Sequence, residues 1–163
     1  MKNLNYYVEE YKEQLDKGDI REAYVALVKY VTRVATSLSN SHSDSFSFGK
    51  IFHGYMDFTY FYYTNEFLKK RKLKMGFVLN HEKMQFEIWL LGQTTPIQER
   101  YWQYFKTTKW NKGRITKPKY SILEAVIVDK PNFNNLDKLT KQIEHRLIQI
   151  SEEIIEDIKN INW

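Results

Sequence analysis

Two neighbouring runs of alternating apolar residues constrain the fold of this chain more than any other feature. They occupy residues 73–79 and 84–91, and the polar segment 80–83 joins them. Apolar side chains at every second position indicate strands with one buried face, and a short polar segment between two such runs is typical of a β-hairpin. The sequence therefore predicts an antiparallel hairpin whose apolar face is covered by another layer of the protein.

A third run with the same alternation lies upstream, at residues 55–63, and extends the predicted hairpin to a three-stranded meander. In this strand we place on one side Met56, Phe58, Tyr60 and Tyr62, and on the other Asp57, Thr59 and Phe61. Residues 37–50 are rich in serine and show no period, so they are predicted to be a loop.

The N-terminal segment predicts two helices before the meander. Apolar residues recur at helical spacing over residues 4–15 and again over residues 20–38. Gly18 is suited to ending the first helix, and Asp19 followed by Glu22 has the form of a capping box that begins the second. These two helices are predicted to form a helical hairpin.

The C-terminal part predicts a helix, a strand and a second, longer helix. Thr95 begins a helix with a proline in its first turn, the β-branched run 122–128 is a fourth strand, and an apolar stripe from Leu136 to Ile161 indicates one long helix. That helix either packs across the chain's own sheet or pairs with a second copy, which leaves a monomer or a homodimer open.

The predicted fold class is therefore α+β, with a single domain over residues 1–163. Its elements are a helical hairpin, a three-stranded antiparallel meander, a helix, a fourth strand and a long C-terminal helix packed on one sheet.

The composition excludes several classes of protein. No cysteine is present, which removes disulfides, thiolate nucleophiles and thiolate zinc sites. The N-terminus lacks the apolar core of a signal peptide, and no run approaches the roughly 18 uninterrupted apolar residues of a membrane span. We therefore expect a cytoplasmic protein with no membrane partner. With 6 glycines and no phosphate-loop or dinucleotide motif, nucleotide hydrolysis and Rossmann chemistry are not expected.

Period-two geometry brings a group of polar side chains to the second face of the predicted meander. The candidate ligand-binding residues are Asp57, Thr59, Lys74, Gln85, Glu87 and Trp89. Carboxylates and a lysine on one face could bind a small ligand, hold a divalent cation or perform acid–base chemistry. The alternative is that they are surface residues paired across neighbouring strands. No catalytic residue is assigned, and no metal site is predicted from this group alone.

Basic residues are concentrated in the middle of the chain. Residues 66–119 hold 13 Lys and Arg against 4 Asp and Glu, although the net charge of the whole chain is only +5. Within segments 69–74 and 106–119, the candidate polyanion-binding residues are Lys69, Lys70, Arg71, Lys72, Lys109, Trp110, Lys112 and Arg114. Basic side chains neutralise phosphates and an exposed indole stacks on bases, so nucleic-acid binding is a second hypothesis. A solvated basic surface with Trp110 in the core is the alternative.

The order helix, meander, helix, strand also resembles, in topology alone, the core of the PD-(D/E)XK nucleases. That family places an acid and a D/E-x-K pair on consecutive core strands. Here Trp89 stands two residues after Glu87, where the lysine belongs, so Lys74 or Lys83 would have to replace it in space. The resemblance implies a degenerate nuclease fold using Asp57 and Glu87, and magnesium is a possible cofactor under this hypothesis only.

Several segments read together resemble an uncharacterised bacterial protein family of about this size. They are YKEQLDKGDIREAY (11–24), GYMDFTYFYY (54–63), RKLKMGFVLNHEKMQFEIWLLG (71–92), RYWQYFKTTKWN (100–111) and LTKQIE (139–144). The likeness covers nearly the whole chain and implies a stand-alone, single-domain bacterial protein without an assigned catalytic residue. Our first hypothesis is therefore a non-catalytic domain that binds a small ligand or regulates another process.

Overall fold

A five-stranded antiparallel sheet forms the centre of the molecule in the computed structural model, which describes residues 1–163. The strands lie side by side in chain order: β1 (Ser47–Phe52), β2 (Phe58–Thr64), β3 (Leu73–Asn80), β4 (Gln85–Gly92) and β5 (Leu123–Val128). The helices are α1 (Leu4–Lys17), α2 (Asp19–His42), α3 (Glu66–Lys70), α4 (Thr95–Phe105) and α5 (Leu136–Lys159). The predicted α+β class is confirmed, together with its N-terminal helices and its long C-terminal helix.

The predicted hairpin is the best-paired part of the sheet. β3 and β4 are in continuous register from the pair Leu73–Gly92 to the pair Asn80–Gln85. Strict alternation over eight residues then sends Phe77 and Ile88 to the same face, where both are fully buried. The hairpin therefore forms where local periodicity alone predicts it.

One face of the sheet carries the hydrophobic core, beneath α2 and α5. The rings of Phe61, Phe77 and Phe86 stack across β2, β3 and β4 with centroid separations of 5.0 and 5.4 Å. The core cluster that contains these rings also includes the apolar stripes of both long helices. Two buried hydroxyl pairs accompany the apolar packing, Tyr63–Ser151 at 2.7 Å and Tyr30–Thr140 at 3.0 Å. The stripe of α5 thus packs on the chain's own sheet.

The structure differs from the sequence predictions around β1 and β2. The segment 37–50, predicted as a loop, contains the end of α2, which runs to His42, and the first part of β1, which begins at Ser47. β1 was not predicted because a register shift between Phe48 and Ile51 interrupts its alternation. β2 begins at Phe58 and not at residue 55, since Met56 has a left-handed φ of 63°, which ends extended pairing. The sheet therefore has five strands where the sequence predicted four.

The helix caps also differ in detail from the predictions. Gly18 ends α1 as predicted, with a φ of 86° and its N–H donating to the Leu15 carbonyl. The predicted capping box at the start of α2 is wrong, because Gly18 itself occupies the N-cap position and no side chain bonds there. At α4 the capping side chain is Thr94, one residue before the predicted Thr95.

The apolar stripe of α1 has no partner within the chain. α1 contains no buried residue, and its stripe residues Leu4, Val8 and Tyr11 are exposed. The N-terminus of α1 is capped by Asn3, whose side chain accepts a hydrogen bond from the Tyr6 N–H. Separately, none of the helices combines the length and the hydropathy that crossing a membrane would require.

Thr59 lies on the core side of the sheet, so its predicted place on the same face as Glu87 is wrong. It is fully buried, and its hydroxyl donates to the His53 carbonyl at 2.8 Å. Because that hydroxyl proton is used, the His81 Nε2 atom 2.8 Å away must carry a proton and donate to Thr59. Burial lowers the pKa of His81, against a smaller opposing effect of Asp57.

We expect the folded protein to lose stability as the pH falls below the ordinary His pKa of 6.5. The unfolded state takes up a proton at His81 before the folded state does, so protonation favours unfolding. Urea unfolding at about pH 7.5 and about pH 5.5 measures this loss. In His81→Gln, which keeps an N–H donor near Thr59 but does not titrate, the loss should be smaller; an equal loss in both proteins would contradict the assignment.

Gly54, in the turn between β1 and β2, should be the least replaceable glycine. Its φ is +74°, and an added Cβ would lie 1.9 Å from the Phe58 carbonyl oxygen. Gly113 has a similar φ of +84° but no atom within 4 Å of that position. Gly113→Ala should cost only the left-handed penalty of about 1–2 kcal/mol, and Gly54→Ala clearly more. Urea unfolding compares the two, and equal losses would show that the close contact has no effect.

Candidate functional site

The second face of the sheet bears a row of aromatic side chains that is interrupted by a glycine. In the antiparallel register Tyr62 of β2 lies opposite Gly76 of β3, and Gly76 lies opposite Trp89 of β4. Directly paired residues point to the same face. Two large rings therefore flank a position with no side chain, which leaves a hollow in the sheet surface.

This hollow, which we call the aromatic pocket, has a volume of about 380 Å³. Its lining residues are Gly54, Tyr55, Asp57, Phe58, Tyr60, Tyr62, Gly76, Val78, Trp89, Leu91 and Tyr120. Its size lies at the lower end of the range that small-molecule sites occupy. Eight of these 11 residues are hydrophobic, and six of them carry aromatic rings.

The rings of the pocket pack against one another. Trp89 meets Phe58 edge-on with centroids 5.0 Å apart, and Tyr120 lies nearly parallel to Trp89 at 6.4 Å. On the other side Tyr60 contacts Tyr62 at 5.4 Å. Burial, followed by the neighbouring Tyr60, raises the pKa of Tyr62 to about 12. The phenol therefore stays protonated at neutral pH and offers a hydroxyl group.

Glu87 holds Trp89 in place. Glu87 is buried, with a relative exposure of 3%, and its Oε1 accepts from the Trp89 indole N–H at 2.8 Å. Its Oε2 accepts from Asn80 at 3.1 Å and from Gln85 at 2.5 Å. Three N–H donors satisfy the buried charge. Glu87 thus acts as a positioning residue for the indole, and it does not line the pocket.

Lys74 does not line the aromatic pocket but contacts the ring of Tyr62, which does. Its ammonium group sits 3.6 Å from the Tyr62 ring centroid, and no carboxylate pairs with it. Desolvation lowers the pKa of Lys74. A second depression of about 290 Å³ adjoins this lysine, and we call it the basic hollow; its lining residues are Thr64, Lys69, Lys72, Leu73, Lys74 and Gln93.

Asp57 lies at the pocket in the turn before β2. Its Oδ1 accepts from the Tyr55 N–H at 2.9 Å and the Phe58 N–H at 2.7 Å, and these bonds lower the pKa of the carboxyl. Asp57 and Glu87 share no hydrogen-bond partner. The structure contains no group of three or more His, Asp or Glu residues that could hold a metal ion.

The candidate ligand-binding residues are therefore only partly together. Lys74, Gln85, Glu87 and Trp89 share the second face, as predicted, whereas Thr59 lies on the opposite one. The pocket tyrosines were missed, because β2 carries aromatic rings on both faces and its apolar pattern does not show which one is covered. A glycine inside a strand, Gly76, was the available signal, since it often marks a close approach to the sheet.

The candidate polyanion-binding residues are largely engaged with other groups of the chain. Lys109 pairs with Glu153 at 2.9 Å and Arg114 with Glu124 at 3.2 Å. Trp110 is half-buried, and its indole N–H donates to Asp157 at 2.6 Å.

In the first basic segment, Lys69 lies 3.6 Å from Glu66, and the Arg71 guanidinium stacks on Phe67. Lys70, Lys72 and Lys112 make no ion pair. Polyanion binding through these segments stays a prediction.

Replacing Glu87 by glutamine should destabilise the protein. The NH2 group of glutamine would replace one oxygen of the Glu87 carboxylate, and it would face N–H groups that now donate to that oxygen. A buried donor left without an acceptor costs about 1–3 kcal/mol. Glu82→Gln is the control, because Glu82 is exposed in the turn between β3 and β4 and should change stability by about 0.5 kcal/mol or less. Urea unfolding decides; equal effects of the two changes would contradict the role of Glu87.

Comparison with known proteins identifies a family but no characterised relative. No curated protein and no solved structure matches the chain. A family model described as "Domain of unknown function (DUF7000)" matches residues 4–158, from the start of α1 to the last turn of α5. This match confirms the predicted resemblance to an uncharacterised family. The chain therefore belongs to the DUF7000 family.

Proposed function

We propose that this protein binds a small ligand with a flat, largely apolar ring in the aromatic pocket, and that the residues there bind it without catalysing a reaction. The observation that carries the proposal is the row Tyr62–Gly76–Trp89, in which two rings stand on either side of a missing side chain. A ring placed over Gly76 would contact aromatic groups on both flanks. Each such aromatic pair contributes about 0.5–1.5 kcal/mol beyond the area it buries.

Exposure of the pocket's rings supports a binding role over a purely structural one. The main core lies on the other face of the sheet. On this face Trp89 belongs to a small buried cluster with Val78 and Leu91, whereas two of the rings are open to solvent. Tyr55 is 96% exposed and Tyr120 is 51% exposed. Contiguous exposed apolar surface of this kind marks ligand or partner sites more often than chance.

Pre-organisation of the pocket also supports the proposal. The floor belongs to paired strands, and the Trp89 ring is oriented by its bond to the buried Glu87 carboxylate. A ligand entering such a site orders few side chains, so less of its contact energy is lost. The carboxylate that the sequence suggested as a ligand group therefore contributes indirectly, through Trp89.

The two other hypotheses from the sequence receive less support. In the second basic segment, the ion pairs of Lys109 and Arg114 reduce the charge available to a polyanion. For a magnesium-dependent nuclease, the Glu87 oxygens already accept three hydrogen bonds. Both activities stay predictions, and the aromatic pocket is the better-supported site.

Gly76→Val should abolish binding to the pocket while keeping the fold. A Cβ at Gly76 meets only ordinary contacts, the nearest being Leu91 Cδ1 at 3.4 Å, and its φ is not left-handed. The neutral probes are indole and 2-naphthol, followed by saturation-transfer NMR on the intact protein. We expect binding by the wild type and at least about a tenfold loss in Gly76→Val, with urea unfolding showing that the variant folds.

Tyr11→Ser is the matched control, because Tyr11 is an exposed aromatic residue on α1, outside the pocket. Its probe binding should equal that of the wild type. Loss of binding in Tyr11→Ser and not in Gly76→Val would place the probes on α1 and overturn the proposal. Absence of saturation transfer to either probe in the wild type would overturn it as well.

A further inference from the structure

We infer that the ligand of the aromatic pocket is a ring that carries a phosphate group, as a nucleotide does, with the ring over Gly76 and the phosphate at Lys74, Lys69 and Lys72. This inference rests on the proposed function and names the chemical class of its ligand. The juxtaposition behind it is the contact between Lys74, which lines the basic hollow, and the ring of Tyr62, which lines the aromatic pocket.

The basic hollow has a positive charge that the protein does not neutralise. Three of its six lining residues are lysines, and none is an acid. Lys72 and Lys74 make no ion pair, and the only carboxylate near Lys69 is the exposed Glu66 at 3.6 Å. Exposed pairs of that kind contribute little. A doubly charged phosphate would find several ammonium groups there and no competing acid.

Lys74 connects this charge to the ring site. Its ammonium group lies against the face of Tyr62, which lines the aromatic pocket. Lys74 lies on β3 two residues before Gly76, so the two residues are about 6.6 Å apart along the strand. A ring over Gly76 would thus have its substituent within reach of the lysine. Aromatic stacking and phosphate neutralisation are the two interactions by which proteins hold a base and its phosphate.

The opposite end of the pocket sets the orientation of such a ligand. Asp57 lies there, and its two backbone hydrogen bonds favour the ionised carboxylate. A phosphate at that end would be repelled. An amino group on the ring would find an acceptor, because Asp57 Oδ2 makes no hydrogen bond within the protein while Oδ1 accepts both N–H groups. The pocket is therefore polarised along β3, with its positive end at Lys74.

The experiment compares AMP, adenosine and inorganic phosphate by isothermal titration of the full chain at constant ionic strength. We expect AMP to bind at least about tenfold more tightly than adenosine. In Lys74→Met, which keeps the length of the side chain and removes its charge, that difference should vanish while adenosine affinity is unchanged. Lys141→Met is the matched control, because Lys141 is an exposed lysine of α5 that makes no ion pair and lines neither cavity.

Equal affinities for AMP and adenosine would overturn the inference, and so would equal losses of AMP binding in Lys74→Met and Lys141→Met. Binding of inorganic phosphate alone would also overturn it, because the ring site would then be unused. If indole binds and AMP gains nothing over adenosine, this inference fails and the proposed function stands; if no ring compound binds, both fail. A short oligoadenylate binding more tightly than AMP would identify a nucleic acid as the source of the same base and phosphate.

Discussion

The register of β3 between β2 and β4 is the constraint on which the rest of this structure depends. It places Phe61, Phe77 and Ile88 side by side on the covered face, and Tyr62, Gly76 and Trp89 side by side on the other. A shift by one residue would exchange the two faces of a strand. The core and the aromatic pocket are therefore two consequences of one pairing pattern.

The two faces carry aromatic rings for different reasons. On the covered face, stacked phenylalanines meet the apolar stripes of α2 and α5, and removing a buried ring of this kind typically costs about 3–5 kcal/mol. On the second face Trp89 belongs to a small separate buried cluster against which Tyr62 packs, and Gly76 between these two residues carries no side chain. The second face can stay partly open because most of the buried apolar side chains of the sheet lie on the covered face.

Polar groups inside the sheet serve mainly to position other residues. Glu87 is buried without a cation, yet three N–H donors satisfy it and one of them belongs to Trp89. Thr59 similarly joins the His53 carbonyl to His81 at the end of β2. Lys74 differs from both, because no carboxylate pairs with its ammonium group, which lies against the ring of Tyr62.

The sequence by itself determined the elements whose signals are local: the β3–β4 hairpin, the break at Gly18, the β5 strand and the long α5 helix. Alternation, helical periodicity and turn residues report the backbone conformation of their own segment, and here they agree with the structure. Lys74, Gln85, Glu87 and Trp89 were placed on one face for the same reason, since period two holds along any strand.

Only the tertiary structure decided which face of β2 is covered, where β1 pairs, and what satisfies Glu87 and the basic residues. Both faces of β2 are aromatic, so its alternation indicates a strand but does not show which face is covered. The covered face is decided by the helices that pack on one side of the sheet. β1 was missed because its bulge breaks the alternation. Ion pairs such as Lys109–Glu153 join residues far apart in the chain. Contacts of this kind depend on how the layers are assembled in space, which local periodicity does not encode.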